Sequence, residues 1–109
     1  MANTRSDSFA AFVLDQLAEL PGVEARRMFG GHGLYLEDVF FGIVHEGRLY
    51  FRADGESREE YLTRGMKPFR PNPRQILRNY LEVPADVIEQ PRLLGQWARR
   101  AAVAAERGK

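Results

Sequence analysis

Cysteine is absent from this 109-residue chain. The absence excludes disulfides, thiolate nucleophiles and cysteine-ligated metals, and it fits a reducing cytoplasm. Lysine is nearly absent: Lys67 and Lys109 are two of sixteen Lys and Arg residues, leaving fourteen arginines. Arginine is the better bidentate ligand for phosphate and carboxylate. Histidine occurs only at His32 and His45, and nothing matches the helical spacing of a zinc site. A formal net charge of +1 supplies no global attraction for nucleic acid. No window approaches the ~20 apolar residues of a membrane span. Met1-Ala2-Asn3-Thr4-Arg5 carries no secretory signal pattern. A cytoplasmic protein with no membrane partner is the expectation.

The chain does carry enough apolar residues, 44%, for one modest core. A single domain over 1–109 is expected, with residues 1–5 as a flexible tail. Phe9, Phe12, Val13, Leu17 and Leu20 recur at helical steps, predicting a helix capped by Ser6 or Asp7 and stopped at Pro21-Gly22. Val23 to Met28 fits an edge strand. Gly33 to Leu36, Val39 to Val44 and Arg48 to Arg52 read as strands joined at Glu37-Asp38 and Glu46-Gly47. In the last of these, Leu49 and Phe51 share one face, and Arg48, Tyr50 and Arg52 share the other.

Ser57-Arg58-Glu59-Glu60 matches a capping box opening a short helix that ends at Gly65, with Asp54 as a cap one turn earlier. Met66 to Pro73 holds three prolines and reads as extended or looped. Gln75 to Leu81 reads as a strand, and Pro84 to Ile88 as a single turn. A long helix from Pro91 carries Leu93, Leu94, Trp97, Ala101 and Ala104 on one stripe. The fold class is therefore α+β: a two-layer, largely antiparallel sheet with helices on one face, in the order α-β-β-β-α-β-(β)-α.

The densest signal is Met28-Phe29-Gly30-Gly31-His32-Gly33-Leu34-Tyr35, with three glycines in eight residues. Such density marks positive φ, a bulge or close backbone approach. The run resembles the signature of the TfoX N-terminal domain family, carried by Met28, Phe29, Gly30, Gly31, Gly33, Leu34 and Tyr35. Gly47-Arg48-Leu49-Tyr50-Phe51-Arg52-Ala53-Asp54, then Pro68-Phe69, Tyr80, Val83-Pro84 and Trp97-Ala98, follow in family order. The resemblance spans roughly Asp15 to Ala105. It implies an α-β-β-β-α-β-β-α fold and kinship with regulators of natural competence thought to act with the cyclic-AMP receptor protein. Those regulators carry a second, C-terminal domain. This sequence ends at Lys109, so a stand-alone domain is the expectation.

No nucleophile elbow or phosphate loop is present. Glu37 and Asp38 suit turn chemistry better than acid–base work. No catalytic, cofactor or metal residues are assigned. The candidate interaction surface is Tyr35, Arg48, Tyr50 and Arg52, an aromatic interleaved with arginines on a face expected to be free of helices. Arg26, Arg27, Gly30, Gly31 and His32 form a candidate anion site. Arg92, Arg99 and Arg100 offer a second basic surface on the last helix. The expected function is non-catalytic regulation or adaptation through a protein partner, with the transcription apparatus as the first candidate. Direct nucleic-acid binding and small-ligand or anion sensing are the alternatives, and a homodimer is a further partner arrangement.

Overall fold

The computed structural model describes residues 4–28 and 30–108. Residues 1–3 of the segment read as a tail, Phe29 of the glycine-rich motif, and Lys109 lie outside them. Ten elements follow one another: α1 (Thr4–Gln16), β1 (Val23–Met28), β2 (Gly31–Leu36), β3 (Val39–His45), β4 (Arg48–Arg52), α2 (Arg58–Thr63), β5 (Pro68–Asn72), β6 (Gln75–Glu82), α3 (Ala85–Ile88) and α4 (Pro91–Arg107). The six strands form one antiparallel sheet in the order β1-β2-β3-β4-β6-β5.

α1 begins at Thr4, inside the segment read as a tail, so Asp7 stands in its first turn and does not precede it. It ends at Gln16, earlier than the apolar stripe suggests. There the amides turn to carbonyls three residues back, Ala18 to Asp15 and Leu20 to Leu17. This tightened end still buries Leu17 and Leu20.

Positive φ shapes the hairpins. Glu37 (φ 49°) and Asp38 (φ 69°) join β2 to β3, and Glu46 (φ 49°) and Gly47 (φ 75°) join β3 to β4. Two successive positive φ values are the mark of type I′ turns, whose twist matches that of the strands. Gly30 (φ 77°) turns β1 into β2. At Gly31 a Cβ would run into the Val44 carbonyl oxygen, so this glycine is required by close backbone approach.

One local expectation is corrected. The capping box lies at Asp54, not Ser57: the Asp54 carboxylate accepts from the Ser57 amide at 2.8 Å, and the Ser57 hydroxyl accepts from the Asp54 amide at 3.0 Å. Ser57 makes no capping bond into α2. The chain then leaves α2 through Gly65 (φ 75°), with Met66 donating to Tyr61 and Gly65 to Leu62, a Schellman ending. The proline-rich stretch, read as extended or looped, takes the extended form and contains strand β5, paired to β6. Prolines are tolerated there because β5 is an edge strand, with one side needing no ladder bond.

One face of the sheet packs against the helices. Leu34, Phe41, Val44, Leu49, Phe51 and Leu81 form a single buried cluster with Val13 and Leu17 at the α1 end, Tyr61 of α2, Val87 of α3, and Leu94, Trp97 and Ala101 of α4. Tyr61 meets Trp97 edge-on at 5.0 Å. The opposite face carries a smaller cluster of Ile43, Tyr50, Phe69 and Tyr80.

Gly31→Ala is expected to lower stability by about 2–4 kcal/mol, because the new methyl meets fixed backbone. Gly33→Ala should cost less, since its methyl would meet only side chains, the Met28 thioether first and then the Phe40 and Tyr35 rings, and no fixed backbone. Urea titration of the two variants checks the order. Asp54→Ala removes three hydrogen bonds accepted by one oxygen and should cost about 1 kcal/mol in the same assay.

Candidate functional site

The helix-free face is an aromatic row whose order follows from the register. The type I′ turn after Leu36 sets Tyr35 opposite Phe40, with ring centroids 5.3 Å apart. Phe40 stacks at 5.2 Å on Tyr80, whose hydroxyl donates to the Phe40 carbonyl at 3.3 Å. Cations close both ends. The Arg26 guanidinium lies 4.1 Å from the centre of the Tyr35 ring, and that of Arg52 lies 5.7 Å from Tyr80. Contacts of this kind combine cation–π attraction with coverage by the arginine stem.

The structure separates the four residues expected to form one exposed surface. Tyr50 is buried, 9% exposed, against Phe69 at 4.8 Å. The expectation that a helix-free face is a wet face fails here because the β5–β6 hairpin curls over it. Phe69 of β5 also meets His45 of β3 at 5.2 Å. In a flat sheet those strands would stand about 14 Å apart. Arg48 is exposed and ion-paired with Glu82 at 3.0 Å. Arg52 is half-buried, and its guanidinium reaches the end of α4, where a Cβ on Gly108 would collide with it. Tyr35 is half-buried together with Phe40.

The residues read as an anion site do not converge. Arg26 and Arg27 are neighbours in a strand and so point to opposite faces. Arg26 binds Asp38 at 2.8 Å on the aromatic face. Arg27 binds Asp7 of α1 at 3.2 Å on the helix face. His32, 9% exposed, places Nε2 3.5 Å from the same Asp7 carboxylate. Each basic group thus already faces a carboxylate. Gly30 and Gly31 shape the turn and the close approach to β3.

A third region lies along α4. Arg92, Gly95, Arg99 and Val103 line an open groove of about 520 Å³ with Leu20 opposite. Arg100 is tied to Glu60 at 2.9 Å and covers Trp97. Among the described residues no three His, Asp or Glu side chains gather as metal ligands. Nor is any described helix long and apolar enough to cross a membrane.

Residues 15–105 match the TfoX N-terminal domain. This chain belongs to that family. It is also 44% identical over 45 residues to a DNA transformation protein, TfoX1 of Aliivibrio fischeri. That match covers 41% of this chain and 22% of the relative. The domain is thus related to proteins of DNA transformation, and the fold implied by the resemblance is the one observed.

In this TfoX N-terminal domain the signature residues are chiefly architectural. Gly31 admits the Val44 carbonyl, Gly33 admits the Met28 and Phe40 side chains, and Leu34 is fully buried. Tyr35, half-buried, carries the signature into the aromatic row. Sequence reasoning missed Phe40 and Tyr80. Phe40 was within reach, since a two-residue turn after Leu36 places it opposite Tyr35. Tyr80 depends on the pairing of β6 with β4, which no local pattern encodes.

Burial pushes the phenols of Tyr61, Tyr80 and Tyr50 above their ordinary range. For an acid whose folded pKa is raised, the stabilisation is complete below the unfolded value near 10 and is lost as pH rises through the folded one. The domain should therefore unfold cooperatively in alkali. Phenolate absorbance from these three residues should appear together with loss of the far-ultraviolet circular dichroism signal. Ionisation of all three while that signal persists would contradict their burial.

Proposed function

We propose that this TfoX N-terminal domain is a non-catalytic regulatory or adaptor module of the competence-regulator kind, working by protein–protein contact. The observation that carries this reading is the Arg26–Tyr35–Phe40 patch. It combines the residue types that dominate protein interfaces. Its rings are already held against one another, so little side-chain entropy remains to be lost on docking. The match to a DNA transformation protein supports the regulatory context, and the transcription apparatus is the first partner to try.

Surface plasmon resonance of the domain over purified RNA polymerase holoenzyme and over cyclic-AMP receptor protein tests the proposal. Binding to one of them should weaken about tenfold or more in Tyr35→Ala and Phe40→Ala, with circular dichroism unchanged. Binding to neither would refute the proposed partner class. Binding indifferent to both substitutions would move the contact elsewhere.

A second reading, direct DNA binding, is favoured by one observation. Arg92 and Arg99 line the α4 groove and make no ion pair among the described residues. Fluorescence anisotropy of labelled duplex DNA decides it. Three phosphate contacts from Arg92, Arg99 and Arg100 would weaken binding roughly fortyfold between ~50 and ~200 mM salt. The adaptor reading predicts no binding even at the lower salt.

A further inference from the structure

The two edges of the sheet are built differently. β5 carries Pro68 and Pro71 and pairs irregularly with β6, which blunts it as a template for another strand. β1 at the other edge has no proline across Val23–Met28 and pairs with β2 residue for residue over its full length. Its outer backbone groups make no hydrogen bond with any other described element. A regular edge of this kind accepts a further strand through its own backbone donors and acceptors.

Charge on β1 selects the strand. Glu24, Arg26 and Arg27 are all exposed, and charged side chains on an edge ordinarily keep chains apart. Consider two copies of β1 paired antiparallel about a two-fold axis normal to the sheet, which keeps both helix layers on one side. One residue must then face its own copy. With Glu24 on the axis, like carboxylates meet; with Arg26 on it, guanidinium meets guanidinium. With Ala25 on the axis, Glu24 stands opposite the partner's Arg26 twice over, Val23 stands opposite the partner's Arg27, and Ala25 meets Ala25. No like charges are opposed. Glu24 belongs to no ion pair among the described residues, and the Asp38 contact uses one donor of the five on Arg26.

We infer that β1 is a self-pairing edge: two copies of this chain join antiparallel through Val23–Arg27, centred on Ala25, into a continuous twelve-stranded sheet. α1 touches this edge through Asp7, which binds Arg27, and one turn on from Asp7 the helix presents Ala11, small and exposed. The adaptor reading is a separate matter, since dimer formation is measured without any other protein.

Sedimentation equilibrium of the whole chain should show a reversible monomer–dimer association. Glu24→Arg should weaken it about tenfold, because two opposite-charge pairs become like-charge pairs. The exchange E24R/R26E should restore it. Because the chain has no cysteine, Ala25→Cys gives an independent readout. Paired Cα atoms across the axis stand about 4.5–5.5 Å apart, within disulfide reach, so mild oxidant should cross-link A25C. R27C should not cross-link, since its two copies would be about 13 Å apart. A chain monomeric at every accessible concentration would overturn the inference. So would a dimer indifferent to Glu24→Arg with no A25C cross-link, which would place the contact on another surface.

Discussion

A single extra residue in β3 keeps the whole sheet in phase. The turn at Glu37-Asp38 sets Leu36 opposite Val39 and Tyr35 opposite Phe40, yet Leu34 pairs with Gly42. Phe41 is the surplus. Were Phe41 paired with Leu34 in an unbulged ladder, every residue of β3 beyond it would change face, sending Ile43 to the helices and Val44 away from them. β4 takes its register from β3 through Val44 opposite Leu49, so Leu49 and Phe51 would be misplaced in turn. The bulge puts both Phe41 and Gly42 on the helix side. That works because position 42 is glycine: a Cβ there would crowd Phe51 and Leu34, while the Phe41 ring lies against Phe51 at 5.6 Å.

The middle of the sheet is consequently buried on both sides by different means. Helices cover one face with aliphatic and alanine side chains around Trp97. On the other, the curled β5–β6 hairpin lays Phe69 across Tyr50 and His45. What stays open is the β1 end, beyond the reach of the hairpin. The Arg26–Tyr35–Phe40 patch and the free edge of β1 adjoin there, and Arg26 belongs to both. A dimer formed through β1 would bring two such patches into one continuous surface.

The arginines show why abundance of a residue type is a poor guide to a site. Arg26 meets Asp38, Arg27 meets Asp7, Arg48 meets Glu82, Arg64 meets Asp86 and Arg100 meets Glu60. These pairs are partly or largely solvent-exposed, where each contributes little to stability. Their effect is to spread positive charge over both faces already neutralised. Arg92 and Arg99 in the α4 groove, which Glu19 also lines, make no ion pair among the described residues, and the same holds for Arg70, Arg74 and Arg78 on the β5–β6 hairpin.

Local chemistry determined much of this protein before any tertiary contact is considered. Alternation along Arg48–Arg52 assigned Leu49 and Phe51 to the core. The positive-φ turns at Glu37-Asp38 and Glu46-Gly47 joined the hairpins, and the spacing of Leu94, Trp97 and Ala101 oriented α4. The glycine-rich run identified the family, because backbone that must turn and approach closely leaves few residue choices. Tertiary structure alone decided where the surface lies. Tyr50 and Tyr35 look alike in sequence, each an outward aromatic on a strand. One is buried and the other is not because β5, a proline-bearing strand some twenty residues further on, folds back over β4. Likewise the sequence left Asp54 and Ser57 both open as the cap, and the folded chain places the reciprocal bonds at Asp54. Whether a polar or aromatic group meets water depends on which distant segment comes to rest on it, and that follows from strand order, not from neighbours in the chain.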